Sequence, residues 1–83
     1  MVFTMSTEKI KKNMAIKIKV ARTEKNMSQK KLADNVGVSQ MSVSRWESGN
    51  LNMSFHTLIK LCDVLEKDWN YFNPEKNVSV EAN

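Results

Sequence analysis

The sequence predicts an all-α fold, a compact bundle of five short helices. Three observations carry that prediction. Apolar residues recur at spacings of three and four along most of the chain. Period-two alternation is absent until Val78-Ser79-Val80, close to the end. Serines that suit helix starts and Asn or Gly residues that suit helix stops alternate at short intervals.

Ser6 or Thr7 caps a first helix that runs to about Lys25. Its inner stripe is Ile10, Met14, Ile18 and Ala21. Ile16 and Val20 lie i to i+4 on another face, which is more apolar surface than one helix of a small bundle buries. Either the N-terminal extension or another molecule is expected to cover it. Asn26 suits a left-handed stop. Ser28 caps a second helix, Gln29 to Val36, with Leu32, Ala33 and Val36 on one side. Gly37 supplies a positive φ, Val38 fills the turn, and Ser39 caps a third helix from Gln40 to about Ser48. Gly49 stops it. Ser54 caps a fourth helix with Phe55, Leu58, Ile59, Leu61, Cys62 and Leu65 as its apolar set. Asp68 caps one more turn, Trp69 to Phe72, and Pro74 prevents continuation.

Length and composition bound the function. Eighty-three residues make one small domain. A single cysteine, Cys62, excludes a scaffold held by intrachain disulfides. The opening MVFTMSTEKIKK lacks the layout of a secretion signal, and no apolar run reaches membrane-spanning length, so a soluble cytosolic protein is expected. Charge is asymmetric. Residues 1–50 carry ten Lys/Arg and four Asp/Glu, and residues 51–83 carry three Lys and five acids. A basic front half fits a polyanion-binding face, or equally a solvated helix surface. His56 and Cys62 have no companions for a metal site, and no Ser/His/Asp set or phosphate-cradling glycine loop occurs. No enzyme, metal or cofactor is expected.

Helices two and three are joined by a very short turn around Gly37-Val38, and two helices joined so tightly and lying nearly perpendicular form a helix-turn-helix. Counting Gln29 as one, the fifth residue must be small, and it is Ala33. The ninth must accept a left-handed turn, and it is Gly37. The tenth plugs the bend as Val38. The fourth, eighth, fifteenth and eighteenth must be apolar, and they are Leu32, Val36, Val43 and Trp46.

At these residues the run ARTEKNMSQKKLADNVGVSQMSVSRWESGN, followed by FHTLIKLCDVL and DWNYF, resembles the Cro/CI-type (XRE) helix-turn-helix domain of phage and bacterial repressors. The likeness covers residues 13–73, leaving 1–12 as an N-terminal extension and 74–83 as a tail. It implies a five-helix, lambda repressor-like, DNA-binding domain in a cytoplasmic bacterial or phage-encoded regulator. Such domains act as homodimers on pseudo-palindromic double-stranded DNA, with the third helix in the major groove.

Val43 and Trp46 set the inward phase of that helix, so Gln40, Met41, Ser44 and Arg45 point outward as base readers. Gln pairs with adenine, Arg with guanine, and Met touches a thymine methyl. The alternatives are a phosphate contact for Arg45 and core packing for Met41. Phosphate contacts are expected from Ser28 and Gln29 at the start of the second helix, and from Ser39, Ser48, Asn50 and Asn52 around the third. Lys17, Lys19, Lys30 and Lys31 add charge. The resemblance implies that Arg22 pairs with Glu47, tying the reading helix to the scaffold and holding Arg22 near a phosphate. Trp69, Tyr71 and Phe72, with Leu51, are expected at a dimer contact, although Trp69 and Phe72 equally suit the monomer core. Val78-Ser79-Val80 is either a strand across the dimer axis or a disordered tail. Two departures stand out: Lys67 replaces an apolar residue after the fourth helix, and Glu66 stands where glycine ends it. The leading function is a transcriptional regulator, in its simplest form a repressor. The alternative is an antitoxin or protein-bridging module that uses the same fold to hold a protein partner.

Overall fold

The structure, a computed structural model, describes residues 7–72. It is all helical there: α1 (Thr7–Glu24), α2 (Gln29–Val36), α3 (Gln40–Glu47), α4 (Phe55–Leu65) and α5 (Trp69–Phe72). The proposed strand at Val78-Ser79-Val80 and the cap at Ser6 lie outside the described residues. α2 packs on α3 and α4, while α1 packs on α3 and α5.

One local grammar closes every joint among the described residues. Met27 N–H donates to the Arg22 carbonyl and Asn26 N–H to that of Thr23. The same six-to-one closure recurs from Val38 to Ala33, from Asn50 to Arg45 and from Lys67 to Cys62. The residue bent into the left-handed region is Asn26 (φ 58°), Gly37 (φ 90°), Gly49 (φ 104°) and Glu66 (φ 57°) in turn. A cap then starts the next helix. Ser28, Ser39 and Ser54 accept from the N–H groups of Lys31, Ser42 and Thr57, and Asp68 accepts from Tyr71. Glu66 therefore takes the backbone shape that glycine would take, and α4 ends at Leu65 as it would before a glycine.

The core is Ile18, Ala21, Leu32, Ala33, Val36, Val43, Trp46, Leu61, Leu65 and Phe72. Ala15 is also buried, although the sequence stripe passes it over. Two predicted apolar sets are wider than the core they meet. On α4, Leu61 and Leu65 are buried, but Phe55 and Ile59 are 71% and 53% exposed. On α1, Ile16 and Val20 face outward, at 60% and 42%. Both pairs lie past the edge of a stripe whose centre already meets a neighbour.

α5 is held against α1 by two reciprocal bonds between Lys17 and Tyr71. Lys17 Nζ donates to the Tyr71 carbonyl at 2.9 Å, and Tyr71 Oη donates to the Lys17 carbonyl at 3.4 Å. Lys67 occupies the place of an apolar residue by laying its ammonium 4.6 Å from the centre of the Tyr71 ring and 3.6 Å from Glu24. Phe72 then has no surface left. Its expected place in a dimer contact is corrected: the last helical turn drives it into the core, edge-on to Tyr71.

Candidate nucleic-acid interface

α3 has one packed edge and one open edge. Val43 and Trp46, three residues apart, sink into the core at 0% and 3% exposure. Gln40, Met41, Ser44 and Arg45 are all exposed on the opposite side. Met41 is 60% exposed, so the outward reading of this residue is the one the fold adopts. Arg45 forms no ion pair among the described residues. It lines a small polar cleft of about 90 Å³ with Ser42, Trp46, Asn50 and Asn52.

The far end of α3 is tied down by a buried carboxylate. Arg22 donates from Nε to Glu47 Oε2 at 2.6 Å and from Nη2 to Oε1 at 3.1 Å. Its Nη1 donates to the Met27 carbonyl at 2.7 Å. Gln29 Nε2 adds a further bond to Glu47 Oε1 at 3.0 Å. The paired side chains are 11% and 5% exposed. One carboxylate thus gathers the end of α1, the turn after it, the start of α2 and the end of α3. The flat Arg fork suits this bidentate geometry as a lysine would not.

The family resemblance pairs Arg22 with Glu47 but misses Gln29 and the Met27 carbonyl. A Gln–Glu bond eighteen residues apart has no signature of its own. These bonds also bear on the phosphate contacts. Little of Arg22 is left for a phosphate, and Gln29 already spends one amide proton on Glu47. Ser28 accepts from Lys31 N–H through Oγ and keeps its own proton. Ser48 gives its proton to the Ser44 carbonyl at 2.9 Å. Ser39 Oγ sits 3.0 Å from Ser42 Oγ. Asn50 and Asn52 are exposed.

Of the supporting lysines, Lys17 is corrected: it is partly buried and committed to α5, because its ammonium caps the Tyr71 carbonyl. Lys30 pairs with Asp34 at 3.4 Å on the surface. Lys19 and Lys31 are exposed.

A second feature lies on α4 and α5. Phe55, Leu58, Ile59, Cys62 and Trp69 line an apolar cleft of about 230 Å³, and Trp69 is 49% exposed. Leu51 and Tyr71 pack partly against the core. Burial, and after it the Asp68 carboxylate, holds the Cys62 thiol above its ordinary pKa. The described residues contain no group of three metal-binding side chains and no helix long and apolar enough to cross a membrane.

Comparison with known proteins agrees with this architecture. Residues 18–72 match the HTH_3 family, described as helix-turn-helix. The crystal structure of an HTH_3 family transcriptional regulator from Vibrio cholerae is similar, with a TM-score of 0.71 over 81% of this chain at 25% identity. This chain spans 38% of that protein's length. The crystal structure of the clp gene regulator ClgR from Corynebacterium glutamicum is similar in fold, with a TM-score of 0.72 at 20% identity, covering 88% of this chain and 78% of that one. No curated protein matches the chain.

Proposed function

The chain belongs to the HTH_3 helix-turn-helix family, and from that premise we propose that it is a sequence-specific double-stranded DNA-binding transcriptional regulator. The observation that carries the reading is the two-sided α3. Its packed edge and its Arg22–Glu47–Gln29 tether hold it rigid, while Gln40, Met41, Ser44 and Arg45 stand clear on the other side. A helix fixed so that its free edge is polar suits the donor and acceptor pattern of the major groove. Residues 13–73 form the reading domain. Backbone contacts come from the α2 start at Ser28 and Gln29, where free N–H groups meet the positive end of the helix dipole. Ser39, Ser48, Asn50 and Asn52 flank them.

The regulator acts as a homodimer on a pseudo-palindrome, because one eight-residue reading helix covers a single half-site. The second copy docks on the apolar cleft around Trp69, with Phe55 and Ile59, and Leu51 and Tyr71 complete the contact. Burying the exposed Phe55, Ile59 and Trp69 side chains across a twofold axis gives each copy the cover that the described part of its own chain does not provide. The simplest outcome of operator occupancy is repression.

Selection of bound sites from random duplex DNA tests the reading. Arg45→Ala is expected to relax preference at one base pair and to cost about 1–3 kcal/mol of specific binding. An unchanged site and affinity would refute the assignment of α3. A protein-bridging or antitoxin role is the second reading, favoured by the outward Ile16 and Val20 stripe on α1. Replacing both by Asp would abolish such a partnership and leave DNA binding intact.

A further inference from the structure

The core-facing stripe of α1 reads Lys11, Ala15, Ile18, Arg22, at spacings of four, three and four. Ala15, Ile18 and Arg22 are buried, and Lys11 is exposed. A helix that buries three successive members of one stripe and exposes the fourth leaves that fourth residue at the edge of the buried face. The stripe carries a cation at each end. Arg22 is neutralised by Glu47. No ion pair to Lys11, or to Lys12 beside it, exists among the described residues.

The exposed end of the stripe faces something specific. Glu8, Lys11 and Lys12 line one cleft, of about 340 Å³, with Ser48, Gly49 and Asn50. Those last three residues form the turn that ends α3. Ser48 lies on the same helical line as Gln40 and Ser44, at steps of four, so the cleft opens beside the reading edge. Two ammonium groups that make no ion pair among the described residues, next to a carboxamide at the margin of a DNA-reading helix, have the chemistry of a phosphodiester site. Glu8 is the opposing charge in the cleft, and it limits the site to about one net positive charge.

We propose that Lys11 and Lys12, with Asn50, form a backbone-phosphate site on the flank of the operator, supplied by the first turns of α1. The site lies before the segment shared with the family, which begins at residue 18. It rests on the DNA-binding reading above and adds a contact that the helix-turn-helix itself does not contain. Being a phosphate contact, it raises affinity for every sequence alike and sets no base preference.

Salt dependence of binding by the full chain tests it. Dissociation constants are measured by fluorescence anisotropy from low to moderate salt, on the selected duplex and on a scrambled duplex. Lys11→Gln and Lys12→Gln together are expected to reduce the log–log salt slope by about 0.9, and each alone by part of that, with the same fold-loss on both duplexes. Glu8→Gln is expected to tighten both. Lys60→Gln, exposed on α4 outside the cleft, controls for net charge and is expected to leave the slope alone. Circular dichroism confirms that the variants fold. An unchanged slope in both lysine variants, or an equal loss in Lys60→Gln, overturns the site while leaving the DNA-binding reading standing. Failure of the unsubstituted chain to bind any duplex overturns both.

Discussion

The corner between α2 and α3 and the loop between α3 and α4 begin alike and end differently. Each follows a glycine in the left-handed region, Gly37 or Gly49, and each delivers the chain to a serine cap. The corner needs one residue in between, Val38, and that residue packs against the core. The loop needs four, residues 50–53, in which Asn50 and Asn52 are exposed while Leu51 and Met53 pack inward. The corner's work is angular: it fixes α3 on α2, with Ala33 buried where the two helices touch. The loop instead keeps polar side chains at the surface beside α3. The same closure thus serves rigidity on one side of α3 and surface chemistry on the other.

The sharpest way to break the rigid side is through its charge. Glu47→Ala leaves the Arg22 guanidinium, 11% exposed, without its partner and also strands Gln29. Loss of one member of a buried pair costs about 3–5 kcal/mol. Urea unfolding is expected to show that loss, and a cost below about 1 kcal/mol would mean that the pair is no more than a surface bridge. Asp34→Ala, which breaks the exposed Lys30 pair, is the comparison and is expected to cost less than about 0.5 kcal/mol.

Next in size is the corner glycine. A Cβ built at Gly37 meets nothing within 4 Å, so Gly37→Ala suffers from backbone conformation alone. That cost is about 1–2 kcal/mol. Gly49 is equally open, and its alanine variant should lose the same amount. A much larger loss at Gly37 than at Gly49 would show that the corner carries strain which the loop does not.

What the sequence makes legible divides along the same line. Caps and stops are local, so Ser28, Gly37, Ser39, Gly49 and Ser54 could be placed from their neighbours alone. The helix-turn-helix follows from residue size at fixed offsets, and it needs no distant contact. The carboxylate hub on Glu47 was half legible: Arg22 followed from a family resemblance, whereas Gln29 and the Met27 carbonyl depend on how three helices converge. Phe72 and Trp69 looked alike in sequence, yet one turn of helix sends the first inward and the second out. The widths of the α1 and α4 apolar stripes were readable, but how far each neighbour would cover them was not. Lys67 looked like a gap in the core and proves to be a filled position, because its stem packs and its ammonium finds Tyr71 and Glu24.

Glu66 offers a smaller effect of opposite sign. It adopts φ 57° with a side chain that gains little from the position. Its ion pair with Lys25, at 3.0 Å, joins a carboxylate that is 75% exposed. Glu66→Gly relieves the left-handed strain, loses that weak pair and gives the unfolded chain more freedom. The net is a gain of about 0.5 kcal/mol, read as a higher midpoint in urea with an unchanged slope. A loss of stability would mean that the Lys25 pair outweighs the strain.

The loop should answer in binding and hardly at all in stability. The side chains of Asn50 and Asn52 are exposed, and among the described residues they complete no buried network. Asn50→Ala with Asn52→Ala should therefore change unfolding free energy by less than about 0.5 kcal/mol. Both side chains face the polar cleft that holds Arg45, so they are placed to give hydrogen bonds to phosphate without adding charge. Their loss is expected to weaken binding to selected and scrambled duplex alike while leaving the salt slope unchanged, since no counterion-releasing cation is removed. That separates them from Lys11 and Lys12, whose loss is expected to lower the slope. A double asparagine variant that unfolds easily would make the loop a structural element like the corner. A variant that changed base preference at one position would make an asparagine a reader, moving the boundary of the reading face beyond Arg45.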